Sequence, residues 1–163
     1  MRRRLLREFV LGLSVFMAGA GVAAAQTTVA ANYDPLLHEL TENSSLGGHG
    51  DVAKFFGSVG VMGEVGVNHF NQATVITLAP GVRYRFETGT DAKIRPAAQV
   101  IFGLWHCGAC ETNASFLQGG GLVDFARSDS MAFRVQFDVR RIFFDFGGET
   151  AERIGVGLVW TLK

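Results

Sequence analysis

Charge is what this sequence has least of. Only 18% of its 163 residues are charged, against roughly 25% in soluble domains. The 15 basic and 15 acidic side chains cancel to a formal net charge of +0. No global field exists to draw in nucleic acid or an acidic substrate. Proline is rare as well, with three residues in all. Beyond its first 25 residues the chain has no run of about 20 apolar residues, which excludes a helical membrane span there. There are two cysteines, in His106-Cys107-Gly108-Ala109-Cys110. A Cys-x-x-Cys can be a redox pair or half of a zinc site, but no second pair is present to complete four ligands. In an exported protein the plainer expectation is a disulfide between Cys107 and Cys110 that pins a loop.

Export is what the beginning of the chain implies. Arg2, Arg3, Arg4 and Arg7 precede an apolar stretch over residues 9–20, and Ala23-Ala24-Ala25 forms a small-residue exit. This is the pattern of a cleavable signal peptide over residues 1–25. The general secretory route is expected, although the arginine run is loosely like a twin-arginine signal. Residues 26–51 read as a flexible periplasmic lead-in. Asn32, Tyr33, Asp34 and Pro35 suggest a turn, and Asn43, Ser44, Ser45, Gly47, Gly48 and Gly50 are linker-like.

From residue 52 the chain reads as one domain. Glycine is abundant, at 21 residues, and phenylalanine supplies 14 of the aromatic side chains. Six segments alternate apolar and polar positions, as a pleated strand between two different environments requires. They cover residues 55–67, 73–86, 93–106, 115–127, 131–143 and 151–162. In the fifth, Met131, Phe133, Val135, Phe137 and Val139 alternate with Ala132, Arg134, Gln136, Asp138 and Arg140. In the first, Phe55, Val59, Val61, Val65 and Val67 are assigned to one face. The segments are about 12 residues long, where ordinary strands have roughly five or six and tilted spanning strands need about 9 to 11. The expected fold is therefore all-β: an antiparallel up-and-down transmembrane β-barrel with its apolar face towards lipid. A soluble β-sandwich binding an apolar ligand is the alternative.

Three stretches of this sequence resemble the small OmpA-like outer-membrane β-barrel family. They are Phe116-Leu117-Gln118-Gly119-Gly120-Gly121-Leu122-Val123-Asp124, Phe133-Arg134-Val135-Gln136-Phe137-Asp138-Val139 and Ile154-Gly155-Val156-Gly157-Leu158-Val159-Trp160. The resemblance implies eight strands, two more than the six readable here. It also implies an outer-membrane location, with lipid and the barrel assembly machinery as partners. Gly157, Trp160 and Leu162 resemble the closing signal that this machinery reads, with Leu162 where an aromatic is usual.

The polar positions of the segments should share one lumen. They include Glu64, Arg83, Arg85, Lys93, Arg95, Asp124, Arg134, Asp138 and Arg140, with Gln99 and Gln136 among them. Arginines opposite carboxylates would pair there and plug a small barrel, leaving no aqueous channel. The expected function is non-enzymatic, structural or in surface interaction, with no cofactor, no metal and no nucleic acid, and with no particular extracellular partner implied. A small barrel enzyme acting on lipid is the alternative, for which His106 and Ser115 are the candidate pair. Short turns at residues 87–91 and 127–130 should face the periplasm, and the loops at 68–72, 107–114 and 144–150 the outside.

Overall fold

The computed structural model describes residues 25–38, 45–70, 73–89, 93–109, 112–145 and 147–162. Eight strands pair in sequence order and close on themselves: β1 (Gln26–His38), β2 (Ser45–Phe56), β3 (Val59–Phe70), β4 (Ala73–Arg85), β5 (Ile94–Cys107), β6 (Thr112–Ala126), β7 (Met131–Phe144) and β8 (Gly147–Leu162). Every neighbouring pair is antiparallel, and β8 returns to β1 along a register that runs from Thr27↔Leu162 to His38↔Ala151. The single closed ring excludes the two-sheet sandwich. The signal-peptide reading of residues 1–25 lies outside the described residues, apart from Ala25.

The lead-in reading of residues 26–51 is corrected by this ring. Of those residues, 26–38 are β1 and 45–51 are most of β2, and the two strands pair with each other from Gln26↔Phe55 to Leu36↔Ser45. They supply the two strands that the alternation did not disclose. The reason is chemical. On β2 the inward positions His49 and Asp51 are polar, and the outward positions Gly48 and Gly50 carry no side chain. Such a strand has the composition of a linker.

The first segment is corrected too. Residues 55–67 contain a strand boundary, a two-residue turn at Gly57 and Ser58 that joins β2 to β3. Gly57 has φ of 65°, which a hairpin this tight favours and most side chains disfavour. Phe55 thus belongs to β2 and points into the barrel, 2% exposed, while Val59, Val65 and Val67 point out.

Two of the three prolines sit where a ladder is interrupted. Pairing of β1 with β8 lapses between Tyr33 and Leu36, around Pro35. Pairing of β4 with β5 lapses between Leu78 and Gly81, around Pro80. A proline has no N–H to donate, so a sheet tolerates it only where that bond is not required. No helix among the described residues is long and apolar enough to cross a membrane. This leaves open a crossing by strands.

The strands alternate strictly between the two faces. On β7 the inward Ala132, Arg134, Gln136, Asp138, Arg140 and Ile142 are buried, and the outward Phe133, Val135, Phe137, Val139 and Phe143 are exposed. The molecule is inverted relative to a soluble protein: its charges are inside and its large apolar side chains outside.

Candidate functional site

The lumen is the only chemically dense part of the described structure, and it is stacked in layers. At the turn end, Arg134 forms a two-pronged bond to Asp124, with Nε to Oδ1 at 2.7 Å and Nη2 to Oδ2 at 3.0 Å. Its remaining nitrogen, Nη1, donates to Asp51 Oδ2 at 2.9 Å. Arg83 Nη1 donates to the other oxygen of Asp51 at 2.9 Å. Asp51 is thereby held between two arginines from β4 and β7. Arg83 also grips Gln99 Oε1 through Nε and Nη2, at 3.0 and 2.7 Å.

The next layer is centred on Asp138. Gln99 Nε2 donates to its Oδ1 at 3.1 Å, and Gln136 Nε2 to its Oδ2 at 2.6 Å. Arg153 on β8 donates to the same Oδ2 from Nε and Nη2, at 3.0 and 2.7 Å. Arg153 also reaches across to β3, where Nη1 and Nη2 meet Glu64 Oε1 and Oε2 at 2.7 and 2.9 Å. Gly120 makes room for this arrangement. A Cβ there would stand 2.2 Å from Asp138 Oδ1. Beside this layer, His49 Nδ1 donates to Asp34 Oδ1 at 2.7 Å, and its Nε2 accepts from Asn32 Nδ2 at 3.0 Å.

Arg140 lies above. Its Nε donates to Gln118 Oε1 at 2.7 Å, and its guanidinium stacks 4.3 Å from the centre of the Phe116 ring. Nη2 comes within 3.7 Å of Glu64, too far for a hydrogen bond. Arg140 Nη1 and Nη2 and Gln118 Nε2 have no hydrogen-bond partner in the protein. Buried donors of this kind ordinarily hold water.

Apolar groups close both ends. Towards the loops, Val75, Trp105, Cys107, Ala114, Phe116 and Ile142 form a buried cluster against which Phe144 packs. Trp105 and Phe144 meet edge to face, with ring centres 5.4 Å apart. Towards the turns, Ala30, Ala132 and Val159 cluster. Arg85 covers Phe55, with its guanidinium 3.5 Å from the ring centre, and bonds to Gln26.

Eight of the residues assigned to the lumen from sequence are buried there: Glu64, Arg83, Gln99, Asp124, Arg134, Gln136, Asp138 and Arg140. Arg85 and Arg95 are half-buried near the turn end, with Arg95 opposite Asp124 in the β5–β6 register. Lys93 is a correction. It precedes β5, is exposed, and takes no part in the network, because the strand starts at Ile94. The structure adds Asp34, His49, Asp51 and Arg153. The first three were hidden by the lead-in reading. Arg153 carried the right parity in the last segment and could have been found from it.

Cys107 is a second correction. It was placed in a loop, but it is the last residue of β5, fully buried in the apolar cluster. It is disulfide-bonded. Cys110 lies outside the described residues. His106 points outward and hydrogen-bonds Asn113 Oδ1 through Nδ1 at 2.8 Å, rather than Ser115. Among the described residues no group of three or more His, Cys, Asp or Glu is placed to hold a metal. At the chain's end, Gly157 lies in β8 opposite Asn32 of β1, and Trp160 and Leu162 are on the outer face, 39% and 51% exposed.

No family model and no curated protein matches this sequence. Solved structures do. Neisserial surface protein A superposes with a TM-score of 0.66 at 10% identity, over 86% of this chain and 99% of that one. The N-terminal β-barrel domain of Pseudomonas aeruginosa OprF gives 0.65 at 12% identity, over 84% and 97%. Ail, the attachment invasion locus protein of Yersinia pestis, gives 0.53 at 9% identity, over 85% and 97%. At these identities the likeness is one of fold. The chain has the fold of the small OmpA-like outer-membrane β-barrels.

Proposed function

We propose that this protein is an integral outer-membrane barrel that works through its surfaces, as a structural or surface-interaction protein, and neither conducts solutes nor catalyses. The observation that carries this reading is the outward apolar band. On β4 and just beyond it, Ile76, Leu78, Val82, Tyr84 and Phe86 are 49%, 58%, 52%, 47% and 50% exposed. Ten residue steps at ~3.3 Å, tilted by ~40°, give a band roughly 25 Å tall, the height of the hydrocarbon contact in such barrels. An apolar surface of that extent cannot remain in water.

Polar outward groups bound the band at the loop end. They include His106, Asn113, Arg141 and Glu152. The filled lumen supports a role without transport, since a small barrel packed with side chains has no water path. The engagement of His106 by Asn113 supports a role without catalysis. Lipid and the assembly machinery are the partners this reading requires, the latter through Gly157, Trp160 and Leu162.

The test is fractionation of the host envelope. The protein should appear in the outer-membrane fraction and migrate faster on a gel when unheated than when boiled. Recovery in the soluble periplasmic fraction, with no heat-dependent shift, would overturn the reading.

A further inference from the structure

The outward band is not uniform. Over β5 to β8 it carries a groove of about 490 Å³, lined by Pro96, Gly121, Val123, Val135, Phe137 and Ile154 and almost wholly apolar. It is a shallow depression open to the outside along most of its boundary, the shape that a chain lying on the barrel wall would fill. Gly121 makes the floor. It is exposed, it is paired with Ala98 on one side and Phe137 on the other, and a Cβ added there would meet only the Ala97 carbonyl at 3.8 Å. The absent side chain therefore leaves a real depression between Val123 and Phe137.

Two exposed cations stand beyond the turn end of the groove along the chain. Three residues before Pro96 stands Lys93, and four after Val123 stands Arg127; both are exposed. A backbone bond from Ala126 N to Lys93 O, at 2.7 Å, ties the two segments together at the turn end. Between these cations and the groove lie the exposed apolar side chains Ile94 and Phe125. Asp129 stands two residues after Arg127, and Asp91, outside the described residues, stands two residues before Lys93. Glu87 accepts a hydrogen bond from Ser58.

An apolar depression with two cations three to four residues beyond it, across the apolar Ile94 and Phe125, matches the chemistry of one lipid molecule, its tail in the depression and its phosphate at the turn end. We propose that the β5–β8 face is a binding site for an anionic glycerophospholipid, with an acyl chain over Gly121 and the phosphate held by Lys93 and Arg127. This rests on the membrane reading above. The groove is continuous with the lipid-facing band, so its occupant is drawn from the bilayer. The turn end faces the periplasmic leaflet if short turns face inward, as they do in these barrels.

The experiment uses the folded, outer-membrane-isolated protein in detergent and native mass spectrometry. Phosphatidylglycerol and phosphatidylcholine with identical chains are the probes. The wild type should retain one phosphatidylglycerol about 30-fold more tightly than phosphatidylcholine, the gain two basic residues give with an anionic lipid. Gly121→Phe should abolish retention of both lipids. Gly63→Phe adds the same bulk at another outward glycine with nothing within 4 Å of its Cβ, and should bind as wild type does. Lys93→Glu combined with Arg127→Glu should remove the preference and keep the weaker, headgroup-blind binding. Equal binding by the two phenylalanine variants, or equal retention of the two lipids by the wild type, would overturn the site. Either failure, in a barrel that still fractionates with the outer membrane and shifts on heating, leaves the membrane reading intact.

Discussion

Arg153 shows what a single inward residue does in this lumen. It is the shared counter-ion of Glu64 and Asp138, and all three are at most 1% exposed. Removing one partner of a buried pair leaves the other charged and unsolvated, at a cost of about 3–5 kcal/mol. Arg153→Ala should therefore lower the stability of the folded barrel by that order, or more, because two carboxylates are stranded together. Lys93→Ala, which removes an exposed cation, should be silent by the same measure. Urea unfolding of the barrel in vesicles, followed by the heat-dependent gel shift, reads both. A silent Arg153→Ala would mean that the network does not hold the strands.

At the scale of a strand, the property that counts is which face a position occupies. Phe137 and Gln136 are neighbours on β7, one 48% exposed and the other 1%. Phe137→Arg puts a charge on the outward face and, on the membrane reading proposed above, should cost roughly 2–4 kcal/mol near the bilayer midplane. Phe137→Leu should cost little, and vesicle refolding yields separate the two. β1 is one of the two strands whose existence the alternation concealed. Its removal exposes the edges of β2 and β8, and lipid provides no partner for an open edge. A chain lacking residues 26–38 should be exported but never reach the heat-modifiable form. If it does reach that form, closure does not depend on β1.

The whole molecule is a cylinder closed at two levels. The apolar cluster of Trp105, Phe116 and Ile142 covers the loop end, and the arginine–carboxylate layers fill the barrel beneath it. In planar bilayers the protein should show no conductance steps. The double variant Phe116→Ala with Ile142→Ala thins the apolar cluster yet leaves every arginine in place, so it too should stay closed. Steps in the wild type would show that the layers open and would reinstate a transport role.

The sequence alone determined the class of this protein, since the alternation of apolar and polar residues is a property of each strand by itself. Phe133 to Arg140 announces its two faces, one apolar and one polar, without knowing its neighbours. A strand is illegible when its own residues do not contrast, and β2, with glycines outward and His49 and Asp51 inward, is such a strand. Only the tertiary structure decided that these residues complete the barrel and which charges meet. Arg153 and Glu64 are 89 positions apart, and Arg83 and Asp51 are 32 apart. Their meeting depends on the stagger accumulated over eight pairings and on the tilt that closure imposes. No local pattern records that sum, because each register is set between two strands and the lumen is the product of all of them.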